Sequence, residues 1–128
     1  MKTWYTTSLT LLAGIAIGAL AVQGLHAQSK PPVYYVAEID VSDLDAYTKE
    51  YAPKAQASIK AHGGRLIAVG QNAVGFDGAP PAKRVAIQQW DSLDKIKEWH
   101  SSADYKAARE IGEKYAKFRS WAIEGLSQ

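Results

Sequence analysis

The order of strand-like and helix-like segments constrains the fold of this chain more than any other feature of its sequence. Runs rich in β-branched and aromatic residues predict four strands, at 33–39, 65–71, 84–90 and 118–125. Apolar residues spaced three and four apart predict helices over 42–62, 92–100 and 103–117. The resulting order, β-α-β-β-α-β, predicts a ferredoxin-like α+β domain, a four-stranded antiparallel sheet with helices on one face.

Pro53 lies inside the first predicted helix. Proline removes one backbone hydrogen bond and clashes with the preceding turn, so we expect a kink or a restart between Tyr51 and Pro53. Ser42, with an acidic residue three positions later, is the predicted N-cap of this helix. Gly63 and Gly64 are predicted to end it.

The N-terminal segment is typical of a signal peptide. Lys2 precedes an almost unbroken apolar run over 9–22, which is shorter than the roughly 20 residues that span a bilayer. We therefore expect a signal peptide over 1–27, a linker over 28–32 and one domain over 33–126, in a periplasmic or secreted protein. A membrane contact is expected only if the leader stays uncleaved.

Composition excludes several classes of function. The chain has 15 Lys and Arg against 13 Asp and Glu, a net charge of +2, so it lacks the basic excess of a nucleic-acid-binding protein. It contains no cysteine, which excludes disulfides and thiolate chemistry. No zinc, phosphate-loop or hydrolase motif is present, and we predict neither a metal nor a cofactor.

Alternation along the strands predicts a second, largely apolar sheet face. Side chains alternate between faces, and the second face is expected to carry Tyr34, Val36, Trp90, Trp121 and Ile123. A monomer rarely exposes such a patch, so a homodimer with two sheets packed face to face is predicted, a dimeric α+β barrel. Glu38, Gln88 and Arg119 are expected on the same face.

Aromatic side chains beside a few polar groups are typical of small-molecule sites. The predicted ligand-binding residues are Tyr34, Glu38, Tyr51, Arg84, Trp99 and His100. Glu38 is either a site carboxylate or half of an ion pair with Arg84 or Arg119. His100 is a general base, a haem ligand or a surface residue, and Trp99 is also a candidate core residue.

Several segments together resemble the family catalogued as domain of unknown function 1330. They are PPVYYVAEIDV, HGGR, RVAIQQW and the run from Trp99 through His100 to Tyr105. The resemblance covers about 32–126 and implies a ferredoxin-like fold and a dimer, but no activity. Family members often carry arginine about seven residues after this tyrosine, where this chain has Gly112. Arg109 is a substitute for it or a solvated helix residue.

Three functions remain open from the sequence. The first is an exported dimer that binds a small, partly apolar molecule between the sheet and its partner. The second is a cofactor-independent oxygenase or isomerase with Glu38 or His100 as base. The third is a protein–protein interaction module of the cell envelope.

Overall fold

Strands and helices follow one another in the predicted order. The computed structural model describes residues 30–127, so the predicted signal peptide and residues 28 and 29 of the linker lie outside the described residues. The strands are β1 (Val33–Val41), β2 (Arg65–Gly70), β3 (Arg84–Trp90) and β4 (Ala116–Glu124). The helices are α1 (Leu44–Ala46), a π-helical turn (Tyr47–Tyr51), α2 (Ala52–Ala61), α3 (Leu93–His100) and α4 (Ala103–Gly112).

The four strands form one antiparallel sheet in the order β2-β3-β1-β4. β1 lies in the middle, where Val36 is opposite Ile87 of β3 and Trp121 of β4. A register shift between Leu66 and Ala68 interrupts the pairing of β2 with β3. This order confirms the predicted ferredoxin-like α+β fold.

A π-helical turn separates two α-helical pieces in the first crossover. Asp43, rather than the predicted Ser42, is the N-cap, and its carboxylate accepts a hydrogen bond from the Ala46 amide at 3.1 Å. Pro53 lies in the first turn of α2, where its missing amide hydrogen breaks no helical bond. The expected restart is therefore confirmed, and the turn directs both Tyr47 and Tyr51 into the core.

The last helix is shorter than predicted. It ends at Gly112, and the residues at 116 and 117, predicted to be helical, belong to β4. The backbone amide and hydroxyl of Ser42 both donate to the Tyr115 carbonyl, at 2.8 and 2.9 Å. These bonds fix the chain beside the end of β1, where Ala116 pairs with Val41. Residues 116 and 117 therefore join the sheet instead of continuing the helix.

The core lies between the sheet and the helices, around two indole rings. Trp90 and Trp99 are each 1 % exposed, with ring centroids 5.2 Å apart. Both indole N–H groups are satisfied: Trp90 donates to the Gln88 side chain at 2.9 Å, and Trp99 donates to the Ser58 hydroxyl at 3.0 Å. Neither indole N–H group is therefore left without an acceptor in the core.

Two residues lie on the face opposite to the one predicted. Trp90 and Gln88 are on the helix-covered face, because the register places them opposite Val33 and Tyr35. Alternation shows which residues of a strand share a face, but only the register shows which face that is.

The second sheet face, called here the uncovered face, remains largely apolar. It carries Tyr34, Val36, Val85, Ile87, Trp121 and Ile123. Trp121 and Ile123 are 43 % and 61 % exposed in the protomer, while the helices pack on the opposite face. Within residues 30–127 there is no helix long and apolar enough to cross a bilayer.

Candidate functional site

The six predicted ligand-binding residues do not form a single site. Tyr34 and Glu38 lie on the uncovered face of the sheet. Tyr51, Arg84, Trp99 and His100 lie on the helix side, where Tyr51 and Trp99 are buried and His100 is exposed. A ligand held between the sheet and a partner would therefore contact only the first two.

Glu38 forms an ion pair with Arg119. The guanidinium donates to one carboxylate oxygen at 2.6 Å, and the Ala82 amide donates to the other at 3.3 Å. The Glu38 side chain is 12 % exposed and that of Arg119 is 76 % exposed. Both carboxylate oxygens are thus occupied by donors, which favours the structural pair over a catalytic base and identifies Arg119, not Arg84, as the partner.

Arg84 lies over the ring of Tyr47, with its guanidinium carbon 5.1 Å from the ring centroid. These residues and Gln88 line a cavity of about 40 Å³ between α2 and the sheet. Within the described part of the chain, the buried Arg84 Nε has no hydrogen-bond partner. The cavity has room for little more than a water molecule and does not fit an organic ligand.

Tyr51 fills the space beside Gly112. A Cβ atom at Gly112 would lie 2.6 Å from the Tyr51 ring and 3.1 Å from that of Phe118. The chain therefore requires glycine at position 112, where members of the family that the sequence resembles often carry arginine. Burial raises the pKa of Tyr51 far above its ordinary value, and the side chain acts as a wall of the core.

A pocket of about 440 Å³ opens between α3, α4 and β4. We call it the polar pocket. Its lining residues are His100, Ser101, Tyr105, Lys106, Arg109, Glu113 and Ser120. Of the predicted residues only His100 lines it, while Trp99 supports it from behind, with its ring 4.1 Å from that of Tyr105.

Arg109 is held in place from three sides. Its guanidinium lies over the Phe118 ring at 3.9 Å, and one Nη donates to the Tyr105 hydroxyl at 3.3 Å. Its Nε lies 3.4 Å from a carboxylate oxygen of Glu113, whose side chain is 62 % exposed. These contacts orient a partly buried cation toward the pocket, which argues against a freely solvated helix residue.

A buried tyrosine hydroxyl lies behind the polar pocket and bonds to Ser120, one of the residues that line it. The Tyr35 hydroxyl donates to the Ser120 hydroxyl at 2.8 Å. Burial raises the pKa of Tyr35 to about 12, although the bond to Ser120 opposes this shift. Tyr35 is therefore a neutral hydrogen-bond donor at physiological pH.

His100 lies at the edge of the same pocket, with its ring 5.5 Å from Tyr105 and 6.3 Å from Tyr35. Partial burial, and then the positive charge of Arg109, lower the pKa of His100 below its ordinary value of 6.5. The imidazole is consequently neutral at pH 7 and can accept a proton or a hydrogen bond.

We expect an NMR titration of the folded protein to give His100 a pKa below 6.5. Because folding lowers this pKa, protonation favours the unfolded chain. The stability linked to His100 is complete above the unfolded pKa of about 6.5 and is lost as the pH falls through the folded one. Urea midpoints at several pH values should show this fall, and His100→Gln should reduce it. A folded pKa at or above 6.5 would contradict the expectation.

A second opening, of about 510 Å³, lies at the end of α2 beside β2. Ile59 and Leu66 make its lining apolar, with Lys60 and Arg65 at its margin. The pair formed by His62 and Asp104, 3.1 Å apart, lies nearby on the surface and joins α2 to α4. The lining of this opening is mainly apolar, whereas the polar pocket brings cationic, hydroxyl and imidazole groups together, which makes the polar pocket the better candidate site.

Sequence reasoning did not identify Tyr105, Lys106, Glu113 and Ser120 as site residues. One signal was available, because Tyr105, Arg109 and Glu113 recur at intervals of four and so share one face of a helix. The contribution of Ser120 depends on the pairing of β4 with β1. No group of three or more His, Asp or Glu able to hold a metal occurs within residues 30–127.

The antiparallel sheet, its one-sided helical layer and the pocket between them define a ferredoxin-like α+β protein. Within that class, the chain belongs to the family described as domain of unknown function (DUF1330), whose sequence profile matches residues 32–126. The family resemblance inferred from the sequence is therefore confirmed.

Solved structures with the same fold share little sequence with this chain. A protein of unknown function from Rhodopseudomonas palustris has a TM-score of 0.59 at 15% identity, covering 84% of this chain and 94% of its own. SnoaB, a cofactor-independent oxygenase from Streptomyces nogalater, has a TM-score of 0.57 at 11% identity, covering 77% of this chain and 96% of its own. A dimeric protein of ferredoxin-like fold and unknown function from Bacteroides fragilis has a TM-score of 0.52 at 16% identity, covering 73% of this chain and 95% of its own. No curated protein matches the chain.

Proposed function

We propose that this protein is an exported homodimer that binds a small, partly apolar molecule in the polar pocket of each protomer. The observation that carries the proposal is the pocket itself. Cationic, hydroxyl and imidazole groups converge there in a space of about 440 Å³, backed by aromatic rings. Small-molecule sites typically have such a size and combine a few placed polar groups with an aromatic wall.

The dimer is supported by the uncovered face. Trp121 and Ile123 are largely exposed there, and a face of this kind is stabilised by packing against its own copy around a two-fold axis. The bond between Glu38 and Arg119 lets a charged pair lie on this face without an unpaired carboxylate. Export is supported by the leader-like segment over 1–27.

A second candidate function is an isomerase-like proton transfer in the same pocket. It is favoured by His100, a neutral imidazole beside the pocket that could remove a proton from a bound molecule. The oxygenase alternative shares this base and requires molecular oxygen in addition. Glu38 does not serve in either reaction, because Arg119 and the Ala82 amide occupy its carboxylate.

Native mass spectrometry tests the proposal on the full 128-residue chain expressed in a bacterial host. We expect a dimer, with each protomer lacking the mass of residues 1–27 and carrying a reproducible small adduct. Loss of the adduct in Ser120→Ala but not in Leu44→Ala, an exposed position away from the pocket, would place it there. A monomer would contradict the dimer. An uncleaved chain would contradict export by a removable leader. A dimer that never carries an adduct would favour the interaction module.

A further inference from the structure

The polar pocket offers many hydrogen-bond donors and an excess of positive charge. Lys106 and Arg109 are cationic, whereas Glu113 is the single carboxylate among its lining residues. Two cations against one carboxylate leave the lining with a positive charge. A cationic ligand is therefore disfavoured, and an anionic one is attracted.

Arg109 retains unused donors. A guanidinium carries five N–H donors, and within residues 30–127 the only side-chain hydrogen bond of Arg109 is the one to Tyr105. Its buried Nε has no hydrogen-bond partner in the same residues. Glu113 lies near that Nε, but its side chain is mostly exposed, so water screens this contact and a ligand can displace it.

The hydroxyl groups point to the same class of ligand. Tyr35 gives its own proton to the Ser120 hydroxyl, which leaves the Ser120 proton free for a ligand oxygen. Tyr105 accepts from Arg109 and is only 3 % exposed, so its main role is to orient the guanidinium. A hydroxyl donor beside a guanidinium matches the oxygens of a carboxylate, which accept several hydrogen bonds at once.

We infer that the polar pocket selects small aromatic carboxylates and that Arg109 is the residue that binds the carboxylate. The exposed His100 ring provides the aromatic surface for the body of the ligand, and the buried Tyr105 ring lies behind it, with the two centroids 5.5 Å apart. Phe118 holds the guanidinium from its far side and so fixes where the anion lies. This inference rests on the proposed binding function and names the ligand class for the same site.

Salicylate and salicylamide form a matched pair of probes, since they share the ring and hydroxyl and differ in the charged group. We expect chemical-shift titration of the exported protein at pH 7 to give salicylate at least about tenfold higher affinity than salicylamide, with shifts centred on α4 and β4. Arg109→Gln should abolish the difference, and Arg109→Lys should retain part of it. Lys114→Gln removes the same charge from an exposed position outside the pocket and should leave the difference unchanged.

Equal affinity for the two probes would overturn the inference and leave the proposed binding function standing. A preference that survives in Arg109→Gln would overturn the role of Arg109. Failure of both probes to bind the folded protein would also overturn the inference. The presence or absence of an adduct in native mass spectrometry then tests the proposed function separately. Comparison of the probes in the unaltered protein remains decisive if Arg109→Gln does not fold.

Discussion

Trp99→Ala is expected to lower the free energy of unfolding by about 3–5 kcal/mol. Trp99 is 1 % exposed and contacts the rings of Trp90, Tyr105 and Tyr35, so its removal leaves a large cavity at the centre of the core. A small domain has about 5–15 kcal/mol of stability, so this loss leaves the fold marginal. Urea unfolding followed by far-ultraviolet circular dichroism, at one fixed protein concentration, measures it.

Trp99→Phe is the matched control. Phenylalanine keeps an aromatic ring in the cavity but loses the indole donor that bonds to Ser58, so we expect a smaller loss of about 1–3 kcal/mol. Ser58 also donates to the Ala55 carbonyl at 2.8 Å, a bond that neither substitution removes directly. A loss below about 1 kcal/mol in Trp99→Ala would show that this ring does not organise the core.

Trp121→Glu is expected to convert the proposed dimer to a monomer. The dimer would place this residue in the interface between two sheets, where an unpaired carboxylate costs about 3–5 kcal/mol, or a rise of at least about a hundredfold in the dissociation constant. Trp121 is 43 % exposed in the protomer, so the same substitution should leave the protomer folded. Light scattering after size-exclusion chromatography at micromolar concentration reports the change, and circular dichroism confirms the fold.

Leu93→Glu is the control for the added charge. Leu93 is 42 % exposed and begins α3 on the helix side, where an acidic residue in the first turn is tolerated. This variant should remain dimeric. A Trp121→Glu protein that also remains dimeric would show that the uncovered face is not the interface between protomers.

Much of the fold could be predicted because the strands carry β-branched and aromatic runs and the last two helices have serine caps. Ser92 and Ser102 cap α3 and α4, each accepting a hydrogen bond from an amide three residues later. Local patterns did not predict where α4 ends and β4 begins, because Ser42, at the end of β1, fixes that point by bonding to Tyr115. The outcome depends on a contact between residues distant in the sequence.

The site was harder to predict, since its members come from different elements and their burial is a tertiary property. Trp90 and Gln88 were expected on the wrong face because both alternating sets of β3 mix apolar and polar residues. Glu38 stood out as an acid in a strand, but its partner Arg119 became evident only from the register of β4 with β1. Of the residues predicted from the sequence, His100 lines the pocket, while Tyr35 is connected to it only through its bond to Ser120.

The π-helical turn at Tyr47–Tyr51 has a consequence for how this chain can change in length during evolution. Such a turn accommodates one residue more than α-helical geometry, so deleting a single residue there restores an ordinary helix and keeps Ala55 and Ile59 in phase with the core. The same deletion inside α2 would rotate all later side chains of that helix by about 100°. Relatives should therefore show one-residue deletions within the turn, where the deletion removes one inward-facing tyrosine. They should show no such deletion within α2.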